Sequence, residues 1–154
     1  MKKYLFLICV TILLFGCKKD KSVTPTPPQL DVVGTWSLYS WQQTNLDATV
    51  TKYPCLSENI LKINSDNTTA ENYTGKDTCY IVRPTGPLTS WTAIGIPGQA
   101  VVSNTWRRNG NDIYIGSEHS VISNSNGTLF LTTTDTITSG VTSPLILKVV
   151  DVKQ

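Results

Sequence analysis

From Leu30 onward, hydrophobic and polar positions alternate with the period of strands. Val32 to Gln43 predicts a long first strand. Leu56 to Asn64 predicts a second, ending in the turn Ser65-Asp66-Asn67. Thr69 to Thr74, Thr78 to Arg83, Gln99 to Arg108, Asp112 to Gly116, Val121 to Ser125, Thr128 to Thr134 and Pro144 to Val152 continue the series. These segments are rich in Thr, Val, Ile, Tyr and Trp, and they are bounded by Asn, Asp, Ser and Gly. No helical period persists over three turns. Asn109-Gly110 and Asn126-Gly127 are hairpin signals, because both residue types tolerate positive φ. The pattern predicts an all-β domain of eight or nine short antiparallel strands joined mostly by tight turns. Residues 84–98 break the rhythm with Pro84, Gly86, Pro87, Pro97 and Gly98 around Trp91, Ile94 and Ile96. They read either as an Ω-loop packed on its own domain or as a lid or contact surface.

The start of the chain follows another pattern. Met1-Lys2-Lys3 is basic, Tyr4 to Phe15 carries no charge, and Lys18-Lys19-Asp20-Lys21 turns polar at once. This is the layout of an export signal, with a small residue before the cut. The apolar run is short of the roughly 20 residues of a membrane-spanning helix. Ser22 to Gln29 holds three prolines and predicts an extended tether. The organisation read from these boundaries is a signal peptide over 1–16, an anchor and tether over 17–30, and a folded domain over 31–154.

Leu14-Phe15-Gly16-Cys17 resembles the lipobox of bacterial lipoproteins. The resemblance implies acylation of the Cys17 thiol, removal of the preceding peptide, and a membrane anchor at the cell envelope, expected at the outer membrane. Two or more acyl chains hold stably, since each buried methylene contributes about 0.8 kcal/mol. Of the four cysteines, Cys9 leaves with the signal and Cys17 is the acylation site. Cys55 and Cys79 remain as an even pair in an exported domain, where disulfides persist. A hairpin centred on Asn67 would place them opposite each other across two strands.

The chain has 154 residues, with 13 basic and 11 acidic side chains. Loss of Lys2 and Lys3 with the signal leaves the side-chain charges balanced. There is no basic patch, and nucleic acid is not an expected partner. The single histidine, His119, adjoins Glu118, and neighbours on a strand face opposite ways. Neither Gly-x-Ser-x-Gly nor His-Glu-x-x-His occurs, so neither an enzyme nor a metal or other cofactor is expected.

Gly34-Thr35-Trp36 opens the first strand directly after the tether. With Cys55-Leu56-Ser57-Glu58-Asn59, the later Cys79 and the Trp106 to Gly110 hairpin, it resembles the lipocalin-like domains of bacterial lipoproteins. The resemblance implies an up-and-down barrel of about eight strands, with Gly34 and Trp36 at its floor. Lipocalins usually set an arginine of the last strand over that tryptophan; here the last strand offers Lys148, and the nearest arginines are Arg107 and Arg108. The expected function is a non-catalytic module that binds a small apolar ligand, with Tyr39, Trp41, Trp106 and Tyr114 as candidate lining residues. The alternative is a filled barrel that meets another protein.

Overall fold

A computed structural model describes residues 28–43, 46–83, 90–99, 102–138 and 145–154. The signal, Cys17 and most of the tether lie outside the described residues. The strands are β1 Gly34–Gln43, β2 Leu46–Thr49, β3 Asn59–Ile63, β4 Thr68–Tyr73, β5 Cys79–Arg83, β6 Ser90–Gly95, β7 Val102–Asn109, β8 Asp112–Ile115, β9 Glu118–Ser125, β10 Thr128–Ile137 and β11 Leu145–Lys153. A 3-10 turn over Pro54–Glu58 precedes β3.

Eight of these strands close into an antiparallel barrel in the order β1-β3-β4-β7-β8-β9-β10-β11, and β11 returns to β1. The expected up-and-down barrel is therefore present. Closure runs from Trp36 opposite Lys153 to Gln43 opposite Leu147. It leaves no unpaired edge between the first and last strands, which is what makes a barrel of a meander. On its other side β1 is shared. Its first residues pair with β3, and its last pair with β2. β5 and β6 form a separate two-stranded sheet inserted between β4 and β7.

Two strands exceed the sequence reading. β2 is too short to show a period. β6 lies inside residues 84–98, which the prolines and glycines had marked as a loop. Residues 90–95 instead pair with β5, Val82 opposite Trp91. The prolines bracket the strand without interrupting it.

The turns explain how β7 to β10 follow one another. Asn126 and Gly127 both have positive φ, 52° and 83°, between the paired residues Ser125 and Thr128. This is the two-residue turn expected there. At the other site the turn is shifted by one residue. Asn109 pairs with Asp112, so Gly110 and Asn111 form the loop, and Gly110 alone has positive φ. Glycine at the first central position is the signature of the second common hairpin turn.

One end of the barrel is packed solid. Val32, Trp36, Ile63, Ile113, Ile122 and Leu131 are buried together, with Leu61, Trp106 and Ile115 against them. Trp36 is fully buried, and its indole Nε1 donates to Val32 O at 2.9 Å. The polar tip of a large plug is thus satisfied by the chain entering the barrel. The last-strand cation at this end is Lys153, not Lys148. Lys153 lies opposite Trp36, and its Nζ donates to Asp31 Oδ2 at 2.9 Å and to Asp31 O at 3.0 Å. That ammonium holds the Asp31 carboxyl below its usual range. Arg108 of β7 also serves the floor, through a hydrogen bond from Nη1 to Leu30 O.

A second cluster joins Leu38, Leu46, Ala48, Leu56, Cys79 and Ile81. It ties β2, the 3-10 turn and β5 to the barrel. The Cys55–Cys79 disulfide lies within it and spans a Cα–Cα distance of 5.6 Å. The pairing is as expected, but the route differs. β3 and β4 pair with Asn59 opposite Tyr73, so the hairpin is centred one residue before Asn67. Cys55 sits in the 3-10 turn and Cys79 opens β5. The bond therefore staples an insertion to the barrel wall, not one barrel strand to the next. Nearby, the Tyr73 hydroxyl lies 3.0 Å from Glu58 Oε2 and 2.6 Å from Asp77 O, closing the same corner.

Gly34 combines a φ of +141° with a close approach, since a Cβ there would lie 2.9 Å from Lys153 Cε. Gly34→Ala is expected to lower stability by about 1–3 kcal/mol, from backbone strain and displacement of Lys153. Urea denaturation checks it, and an unchanged midpoint would contradict the described entry of the chain. Replacing Cys55 and Cys79 together by serine is expected to cost about 3 kcal/mol for a loop of this length. A melting temperature equal to that of the parent would show that the staple contributes nothing to folding.

Candidate functional site

Above the packed floor the barrel is hollow. A cavity of about 850 Å³ lies between the two clusters. That is within the roughly 300–1,000 Å³ typical of small-molecule sites. Leu61, Ile115 and Leu131 form its base, and Leu38, Trp41, Leu147 and Val149 form one wall. Thr92, Ala93 and Ile94 of β6 reach it from the inserted hairpin. The segment read as an Ω-loop or a lid thus contributes a strand to the cavity wall.

Strand parity decides which side chains enter. In β9 the buried Ser120 and Ile122 mark the inward face, and Glu118 shares it. In β4 the buried Thr69 marks the face of Glu71. In β11 Leu147, Val149 and Asp151 line the cavity at alternate positions. Three carboxylates from three separated strands therefore converge on one interior. Asp135 of β10 also lines it, and among the described residues no lysine or arginine does.

Their electrostatics follow from this arrangement. Asp151 is enclosed by the barrel wall but open to the cavity, and its carboxylate has no hydrogen-bond or ion-pair partner among the described residues. Burial, then the Glu71 and Glu118 charges, push its pKa up to about 7. Burial and the Glu118 charge also raise Glu71. Asn59, at the start of β3, lines the same cavity, and its buried Nδ2 has no acceptor among the described residues. The interior thus holds concentrated negative charge and an unused donor against an apolar wall.

Of the four aromatic candidates, the cavity is lined by Trp41 alone. Tyr39 faces outward by simple alternation after Trp36 and Leu38. A register shift between Leu38 and Ser40 then reverses the parity of β1 and turns Trp41 inward. Tyr39 packs edge-on against Phe130, with ring centroids 5.9 Å apart. Trp106 belongs to the floor, where Nε1 donates to Asn64 O at 2.8 Å. Tyr114 stacks on His119 at 5.0 Å beneath the Arg107 guanidinium, which lies 3.9 Å from its ring centroid. Tyr114 therefore belongs to a cross-strand stack and not to the cavity lining. His119 lies at the cavity rim with its Nε2 2.8 Å from Asp112 Oδ1. Sequence reasoning missed Glu71, Glu118 and Asp151. The available signal was a charged residue at an apolar-parity position, clearest in Leu147-Lys148-Val149-Val150-Asp151.

Among the described residues, no group of three or more His, Cys, Asp or Glu side chains is placed to hold a metal ion, and no helix is long and apolar enough to cross a membrane. No family model, curated protein or solved structure matches this chain.

An acid whose pKa rises on folding binds protons that the unfolded chain has already released. The stability linked to Asp151 is therefore fully present below about pH 4 and is lost as pH rises through about 7. Asp151→Asn is expected to stabilise the protein by about 1–3 kcal/mol at pH 8 and to have little effect at pH 4. Denaturation at both pH values checks this; an equal effect at both would mean the carboxylate is not buried as described.

Proposed function

We propose that this protein is a lipid-anchored envelope module whose barrel cavity binds a small molecule. Its mature form begins at Cys17, acylated and held at the outer membrane, with the proline-rich segment as a spacer. The barrel is a binding element and not a catalyst. The observation that carries this reading is the cavity of about 850 Å³ above a sealed floor. A barrel serving only as a scaffold would be filled by its own side chains, as small barrels commonly are. Here the Trp36 cluster fills one end and stops at Leu61, Ile115 and Leu131. The lipocalin-like arrangement of Gly34, Trp36 and the meander supports the same reading, as does the lipobox pattern for the anchor.

The wall also sets limits on the ligand. Leu38, Trp41, Ile94 and Val149 offer apolar contact, so part of the ligand is apolar. The polar part of the lining excludes a wholly hydrocarbon guest, since buried carboxylates stripped of water need partners.

Two measurements test the two halves. Cys17→Ser is expected to abolish acyl labelling and to move the protein from the membrane fraction to the soluble one. Retention at the membrane without label would refute the anchor. An apolar fluorescent probe is expected to bind one per chain, and Leu131→Trp, which fills the cavity, is expected to weaken binding at least about tenfold, or roughly 1.4 kcal/mol. Equal binding by that variant, with its fold intact by circular dichroism, would place the probe outside the barrel.

A further inference from the structure

The acidic lining says more about the ligand than its size does. Glu71, Glu118 and Asp151 come from β4, β9 and β11, strands that are not neighbours in the barrel wall. They meet only because the interior is shared. Glu71 and Glu118 keep solvent contact, whereas Asp151 is the enclosed member. Among the described residues no lysine or arginine lines the cavity, and Asp151 has no hydrogen-bond or ion-pair partner. A buried acid without a partner costs stability, and like charges around it add to the cost. A cation placed among the three relieves both penalties at once.

The identity of that cation is restricted by geometry. The described residues include no acid cluster placed to coordinate a metal ion. The carboxylates line a space of about 850 Å³ whose wall also holds Trp41 and Val149. Such a mixed lining suits a molecule that carries both a charge and an apolar body. An ammonium has three N–H donors and can bond more than one carboxylate through charge-assisted hydrogen bonds. An indole in the wall can take the alkyl portion or the face of the cation.

We infer that the cavity selects a small organic cation, an amphiphilic amine whose ammonium lies among Glu71, Glu118 and Asp151 and whose apolar body lies against Trp41, Leu131 and Val149. The inference rests on the cavity being the binding site. It predicts a pH dependence, because protonation of the acids removes the counter-charge. The titratable groups facing Asp151 are Glu71 from β4, Glu118 from β9 and Asp135 from β10, with His119 of β9 at the rim. The described residues of β1 on this wall, Leu38 and Trp41, add no titratable group.

The test compares three probes of equal chain length, decylamine, 1-decanol and decanoate, below their aggregation thresholds. Binding is read by calorimetry and tryptophan fluorescence on the full chain carrying Cys17→Ser. At pH 8 decylamine is expected to bind at least about tenfold more tightly than 1-decanol, as two or more charge-assisted hydrogen bonds imply, and decanoate more weakly than either. The preference for the amine is expected to shrink at pH 5. The combined variant Glu71→Gln, Glu118→Gln, Asp151→Asn is expected to lose that preference while keeping the parent's circular dichroism. Equal affinity for amine and alcohol, or a preference for decanoate, would overturn the inference and leave cavity binding standing. So would an amine preference unchanged in the combined variant. Failure of all three probes to bind would instead remove the cavity reading, and the inference with it.

Discussion

The backbone ladder between β1 and β11 turns a chain of hairpins into a container. Every other pair of barrel strands is close in sequence or separated by one insertion. This pair joins the two ends of the domain, from Trp36 opposite Lys153 to Gln43 opposite Leu147. At the floor the ladder is reinforced from both termini. The entering chain supplies Val32 O to the Trp36 indole and Asp31 to Lys153. The leaving chain supplies Gln154, whose backbone N donates to Thr35 O at 2.9 Å. Without closure, Leu38, Leu131 and Asp151 would lie on an open sheet facing water, and no cavity would exist.

Closure also generates the electrostatic character of the interior. A flat sheet would keep Glu71, Glu118 and Asp151 apart on separate strands. Curling the sheet brings their inward faces to a common space from which water is partly excluded. Burial then opposes ionisation of Asp151, and the Glu71 and Glu118 charges add to the effect. Stability is given up there, and unpartnered charge of this kind is a feature of sites organised for a ligand more than of packed cores. The inserted elements take part as well. The β5–β6 hairpin, tied down by the Cys55–Cys79 bond, sets Ile94 in the cavity wall beside the Leu38 cluster.

The architecture was legible in the sequence because it depends on local signals. Alternation predicted nine of the eleven described strands, and Asn126-Gly127 marked its turn to the residue. Gly34 and Trp36 marked the floor because a glycine with positive φ beside a large plug is a local requirement. The site was less legible for two reasons. Parity along β1 changes at an unannounced bulge after Leu38, which sends Trp41 inward although Tyr39, two residues before it, faces outward. The meeting of Glu71, Glu118 and Asp151 is a property of the closed ring, which no single segment contains. The disulfide shows the same division. Its partners were evident from the cysteine count, but the assumed cross-strand geometry failed because a 3-10 turn replaces the start of the second predicted strand.

The closed ladder encloses a hollow, acid-lined interior. A crystal structure of the purified protein at about pH 8 tests it most directly. Continuous β1–β11 hydrogen bonds are expected and, above Trp36, a space bounded by Leu38, Trp41, Leu131 and Asp151 that holds ordered solvent or a ligand. An open edge between β1 and β11, or side chains collapsed into that space around a salt-bridged Asp151, would contradict it.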